Sequence, residues 1–242
     1  GYERGVSDDY NKDFGFDTER VKRFILTTQR EKAENTACFV SEAAERKFFN
    51  KLSSELSKRG VSDILRKGFR YISELFDMYY PLPSELNPTA QEFYEKNIFC
   101  VTRQLYYSRE NTNSIDVMVS LNGLPLMTLE LKNHYTGQTI ENAIKQYQDD
   151  RNPKEDPTAL LLQKKRCAVH FAVDDDNIMM CTELCGKASW FLPFNKGVNG
   201  GAGNPINPNG VKTAYLWEDI WEKHSLSDIL ENYAQVVKKK KT

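Results

Sequence analysis

The sequence predicts an α/β chain in which a central sheet lies between helical layers and follows a helical elaboration. Three observations carry that expectation. Residues 1–80 are charged and helical in pattern, the period turns to alternation from residue 98, and helical spacing returns at residue 139 before two further strands. The 242 residues suffice for one large domain with a sizeable core. We divide it into an N-terminal helical region, 1–85, that contributes the first core helix, and a core with closing helices, 86–242, within one compact domain.

In "DTERVKRFILTTQREK", Asp17 caps a helix; "SEAAERKFFNKLSSELSKRG" begins a second at Ser41, with Glu42 and Glu45 in its first turn, and stops at Gly60. A Pro-marked connection, "YYPLPSELNP", leads into the short helix "TAQEFYEKN", with Pro88 at its opening. "IFCVTRQLYYS" reads as a strand, and "SIDVMVSLNGLPLMTLELKN" as two strands around a turn. "TIENAIKQYQDDR" is a helix with Ile140, Ala143, Ile144 and Tyr147 as its apolar stripe. "RCAVHFAV" and "NIMMCTEL" are strands around "DDDN". A long Gly/Asn/Pro loop follows, then the closing helices "TAYLWEDIWEKH" and "SLSDILENYAQVV" and a solvated "KKKKT" end.

With 33 Lys and Arg against 34 Asp and Glu, the formal net charge is −1, which exerts no global pull on nucleic acid or an anionic membrane. Any such binding must come from a local patch. No apolar run is long enough to span a bilayer, and the start has no signal-peptide pattern, so no membrane partner is expected. Five scattered cysteines without a CxxC pair favour reduced thiols in a cytoplasmic protein over a disulfide or zinc framework. The chain holds no G-x-x-x-x-G-K-[ST] phosphate loop of its own.

The hairpin carries the chemistry. Odd positions from Ile115 to Leu121 and Met127 to Leu131 are apolar; Asp116, Ser120, Thr128, Glu130 and Lys132 occupy even ones. A plain two-residue Asn122-Gly123 turn would pair residue 116 with 129 and set apolar against polar, a register that loses. A three-residue loop, Leu121 to Gly123, pairs 116 with 128 and gathers Asp116, Glu130 and Lys132 on one face. Two neighbouring carboxylates repel unless a cation joins them, and hard oxygen ligands without Cys or His suit Mg²⁺. Lys132 is placed to orient an attacking water and stabilise charge on a phosphorane. From the spacing D-x13-E-x-K alone, this reading and a surface hairpin with one ion pair stand level.

Together with "VTRQLYYS", "TGQTIENAIKQYQDDR", "KRCAVHFAVDDDNIMMCTEL", "FLPFNKGVNGGAGNP", "TAYLWEDIW", "RGVSDILRKGFRYI" and "LNP", the hairpin resembles the nuclease domain of type I restriction enzyme R subunits. The resemblance spans nearly the whole chain. It implies a restriction-endonuclease-like, PD-(D/E)xK core with a mixed central sheet, Asp116 and Glu130 as Mg²⁺ ligands and Lys132 as the catalytic lysine. It also implies duplex DNA as substrate, cut without sequence readout by this domain. A motor using ATP would follow in the chain, with methyltransferase and specificity subunits as partners. Gln146 fits the family's helix glutamine; Asp150 stands at its tyrosine position and Tyr147 is next door. Glu45 is the candidate for the acidic residue that many relatives add to the metal site from the first core helix.

Arg103, Gln104 and the "QKKR" run with Lys164 and Lys165 are candidate DNA contacts, beside structural readings of the same residues. His134 reads as solvated, His170 as a satisfied core histidine, and His224 as the end of a helix. Two other readings remain: a stand-alone repair or junction nuclease of this fold, and a docking module with a vestigial acidic pair.

Overall fold

Asp17 does what its place before an apolar-periodic run demands. Its Oδ1 accepts from the backbone N–H of Arg20 at 2.9 Å and starts the first helix. The structure, a computed structural model, describes residues 1–83 and 87–234. The expected "KKKKT" end and the last three residues of the expected final helix lie outside the described residues.

Before the central sheet come β1 (Glu3–Gly5), β2 (Tyr10–Asn11), β3 (Phe16–Asp17), α1 (Thr18–Thr28), α2 (Arg30–Thr36), α3 (Glu42–Arg59), α4 (Val61–Lys67), β4 (Phe69–Tyr71), β5 (Glu74–Phe76) and α5 (Pro88–Glu95). Two expectations need correction here. The helix expected over 17–32 breaks at Gln29, whose buried amide donates to the Asp77 carbonyl and accepts from the Asp77 N–H, both at 2.8 Å. That side chain bonds the Asp77 backbone as a neighbouring strand would. The region read as helical also holds five strands of two or three residues, too short to show a period; β1 pairs parallel to the central sheet. Ser41 and Gly60 bound α3 as expected, Gly60 at φ 95°.

The sheet proper comprises β6 (Phe99–Tyr106), β7 (Ser114–Leu121), β8 (Leu124–Leu131), β9 (Val169–Val173), β10 (Ile178–Cys181) and the two-residue β11 (Leu192–Pro193). With β1 it has the order β1-β6-β7-β8-β9-β10-β11, parallel at β1/β6 and β8/β9 and antiparallel elsewhere. The β8–β9 connection is long, as parallel neighbours require, and carries α6 (Ile140–Asp149). This is the expected α/β class with a mixed sheet between helices.

The two faces of the sheet pack against different layers. Val119, Leu121, Met127 and Leu129, with Phe171 and Val173, pack on Phe24 of α1, Phe48 and Leu52 of α3, Ile64 of α4, and Trp221 and Leu230. On the other face Met118 joins Tyr147 of α6, and Ala172 joins Ile140 and Ala143. The closing region differs from the expected pair of helices: a π-helical turn at Leu216–Ile220 precedes α7 (Lys223–Asp228) and a second π turn at Ile229–Tyr233. Glu222 caps α7, so His224 sits in its first turn and not at a helix end. No helix among the described residues is long and apolar enough to cross a membrane.

Candidate active site

The turn of the β7–β8 hairpin has two residues, which corrects the expected three-residue loop. Asn122 and Gly123 both take positive φ, 52° and 85°, as a type I′ turn requires, and Leu121 pairs with Leu124. Asn122 is fully buried and pinned: its Oδ1 accepts from Ile98 N at 2.6 Å, and its Nδ2 donates to Met78 O and Asn97 Oδ1, both at 2.9 Å. The register is restored one step later. Ser120 pairs with Pro125 but Val119 with Met127, so Leu126 is the extra residue of a bulge. Val117 then pairs with Leu129, and this register carried on by one residue sets Asp116 level with Glu130 rather than with Thr128, near enough for the Asp116 charge to act on the Glu130 carboxyl. On the other side, Gln104 of β6 occupies the same rung, between the pairs Arg103–Val117 and Leu105–Ile115.

Asp116 is half-buried and oriented from both sides. Gln104 Nε2 donates to its Oδ1 at 3.1 Å and the Leu131 N–H to its Oδ2 at 2.8 Å. Glu130 is fully buried, and neither carboxylate oxygen has a hydrogen-bond partner. Burial pushes its carboxyl up to about 8; Arg151 opposes the rise, the Asp116 charge adds to it, and Lys132 opposes it. The half-buried Lys132 follows two residues on, its backbone N–H tied to Val173 O at 2.9 Å. These three residues are therefore gathered at the end of β8.

Helix α6 covers this end. The half-buried Gln146 has an amide oxygen without a partner. Tyr147 is fully buried, its hydroxyl 2.9 Å from Thr128 Oγ1, which is 2.7 Å from His170 Nδ1. Burial, and after it the Glu130 charge, holds the Tyr147 hydroxyl well above its ordinary range; burial pushes His170 down to about 3. Tyr147 is thus a buried support beneath the rung, and His170 is the satisfied core histidine expected.

Three candidates are not brought to the pair. Glu45 leaves the first turn of α3, a helix packed on the opposite face through Phe48 and Leu52, and its carboxylate is 2.6 Å from Lys22 Nζ. Lys164 is paired with Glu183 at 2.7 Å, and Lys165 donates to Lys58 O at 3.0 Å. Both precede β9, whereas Glu130 lies level with Ala172 near its far end. Arg166 of the same run is buried, not solvated, and donates to Ser53 O at 2.8 Å. Arg103 is exposed, and Gln104 is engaged with Asp116. His134 lies 3.8 Å from Asp174 and 3.7 Å from Asp176.

Sequence reasoning missed Arg151. It lies beyond the end of α6 and is only 6% exposed, with Nε 2.7 Å from Glu130 Oε1 and Nη2 donating to Ser114 O at 2.6 Å. A charged residue after a helix gives no sign of burial in its spacing. Among the described residues no group of three His, Cys, Asp or Glu converges as a metal site. The donor set at the rung is two carboxylates with the unbonded oxygens of Glu130. That fits a hard cation which keeps most of its waters and takes one or two protein carboxylates.

An α/β chain whose mixed seven-stranded sheet sets two carboxylates and a lysine at the end of a central hairpin is compatible with a restriction-endonuclease-like core. The family model described as type I restriction enzyme R protein N terminus matches residues 10–188, which include the whole hairpin and α6. The chain belongs to that family. A search of curated proteins gave no significant match.

Proposed function

We propose that this chain is the endonuclease domain of a type I restriction enzyme R subunit, hydrolysing phosphodiester bonds of double-stranded DNA without reading sequence. The observation that carries the proposal is the rung itself: Asp116 level with Glu130, the latter buried with both oxygens unbonded, and Lys132 two residues on. Arg151 Nε, 2.7 Å from Oε1, supplies charge to this buried carboxylate but no hydrogen bond, which leaves its lone pairs free for a further ligand.

Asp116 and Glu130 would hold Mg²⁺, which when bound supplies the charge that activates water and neutralises a phosphate oxygen. The chain's own residues do the rest. Gln104 and the Leu131 N–H fix the Asp116 carboxylate from two sides, so its rotamer is set before substrate arrives. Lys132 presents an ammonium beside the pair, placed to orient the attacking water and to stabilise negative charge developing on the phosphoryl oxygens. Gln146 offers its unbonded amide oxygen on the helix that roofs the site. The exposed Arg103 on β6 would face the DNA backbone beside the rung.

An ATP-driven translocase elsewhere in the full chain would feed duplex to the site, with methyltransferase and specificity subunits choosing the target. Asp116→Asn and Glu130→Gln in the assembled enzyme test the proposal. Cutting should disappear while ATP hydrolysis and translocation persist. Full cutting by both variants would overturn the assignment, and loss of all three activities together would make the residues structural.

A further inference from the structure

We propose that Arg151 is a built-in counter-cation, holding the Glu130 carboxylate while no divalent ion is present and competing with that ion for it. The inference rests on the reading of Asp116 and Glu130 as metal ligands, and it makes Arg151 a positioning residue. Among the described residues Arg151 is the cation within ion-pair distance of Glu130, and both side chains are buried. Their contact is unusual in kind. Nε stands 2.7 Å from Oε1, yet Arg151 Nε and both Glu130 oxygens remain without a hydrogen bond, because the N–H does not point along the contact. The guanidinium therefore supplies charge to Glu130 without locking its lone pairs.

Its firm attachment is elsewhere. Nη2 donates to the carbonyl of Ser114, the first residue of β7, at 2.6 Å, and Nη1 lies 3.9 Å from the exposed Asp150 carboxylate. Releasing Glu130 would leave Arg151 with a carbonyl anchor and an acidic neighbour. Such an arrangement keeps the acidic rung intact when empty, at the cost of weaker cation binding when ions arrive. Two positive charges serving one carboxylate at these distances repel even at the effective dielectric of a protein site.

The test uses the full-length R subunit without nucleotide, stripped of metal and titrated with Mn²⁺ by electron paramagnetic resonance at several pH values, so that affinity for the ionised Glu130 carboxylate is separated from competition by its proton. Each protein is compared with its Glu130→Gln counterpart to isolate this site. Arg151→Met should tighten the Glu130-dependent Mn²⁺ affinity by about tenfold or more, the direction expected when a competing charge is removed. Arg151→Lys, which keeps the charge, should stay near wild type. The metal-free Arg151→Met protein should also melt lower than wild type, and saturating Mn²⁺ should raise its melting temperature by more. If Arg151→Met fails to fold, Arg151→Gln, which can still bond the Ser114 carbonyl, carries the same expectation. Unchanged or weaker Mn²⁺ affinity in a folded charge-deleted variant, while wild type shows Glu130-dependent binding, would overturn the counter-cation role alone. Absence of Glu130-dependent binding in every variant would overturn the metal reading with it.

Discussion

Asp116 stands level with Glu130 because β8 carries one more residue than β7 between the turn and their rung. Without Leu126 as that extra residue, the Asn122-Gly123 turn would set Asp116 against Leu129 and send the two carboxylates to opposite faces. The hairpin's geometry and the site's chemistry are therefore one feature. A turn that fixes the start of the ladder fixes the carboxylates five rungs away.

Asn122→Ala tests how firmly that start is held. The variant would lose three buried hydrogen bonds and place alanine at φ 52°. The expected destabilisation is about 2–4 kcal/mol, from unsatisfied partners and left-handed strain together. Thermal or denaturant unfolding reads it. A change within about 0.5 kcal/mol, the range of an ordinary surface substitution, would show that the turn is not pinned.

The buried Glu130 gives the metal-free protein a distinct pH dependence. Its carboxyl is raised to about 8 in the fold, above the ordinary carboxylate value it regains on unfolding. The folded state therefore holds a proton that the unfolded state releases. The contribution is fully present below the unfolded value and is lost as pH rises through about 8. In a chelating buffer, wild type should lose stability between pH 5 and roughly 8 relative to Glu130→Gln. Melting curves of the two proteins that stay parallel across this window would show that Glu130 is ionised throughout.

Thr128 is the hinge of the polar column under the rung. Replacing it by valine keeps the shape but leaves the Tyr147 hydroxyl and His170 Nδ1 without their shared partner. Because both groups are buried, Thr128→Val should cost about 1–3 kcal/mol in stability. Equal unfolding midpoints for the two proteins would mean that water replaces the threonine hydroxyl.

The legibility of this site in the sequence has physical limits. Asp116, Glu130 and Lys132 stood out because charges occupied strand positions that favour β-branched residues. The alternation of apolar residues requires the two strands to meet odd against odd. A three-residue loop and a two-residue turn with one bulge satisfy that equally, so parity could not choose between them. Glu45 was misplaced because a helix's first turn offers carboxylates on several faces, and the packing of Phe48 and Leu52 decides which face is inward. Gln29 breaks a helix through a bond to Asp77, 48 residues away, a contact that local periodicity does not contain. Arg151 is invisible for the same reason: its burial comes from the strands that meet it.

Residues 1–242 should fold in isolation yet nick DNA feebly. Folding follows from the sheet, one face of which is packed by α1, α3, α4 and the closing turns and the other by α6. Feeble cutting follows from charge. With a formal net charge of −1 the chain has no overall positive charge to draw in DNA at physiological salt, and the rung itself presents carboxylates to phosphate. Lys164 cannot make up the deficit near the site, since it precedes β9, at the end opposite Glu130. A motor or neighbouring subunit that holds duplex against the rung would make delivery effectively intramolecular and remove that barrier. Incubating the isolated domain with plasmid and Mg²⁺ at physiological salt measures this directly, with circular dichroism reporting its folding. Rapid, complete digestion by catalytic amounts would show that the domain captures DNA unaided and needs no delivery.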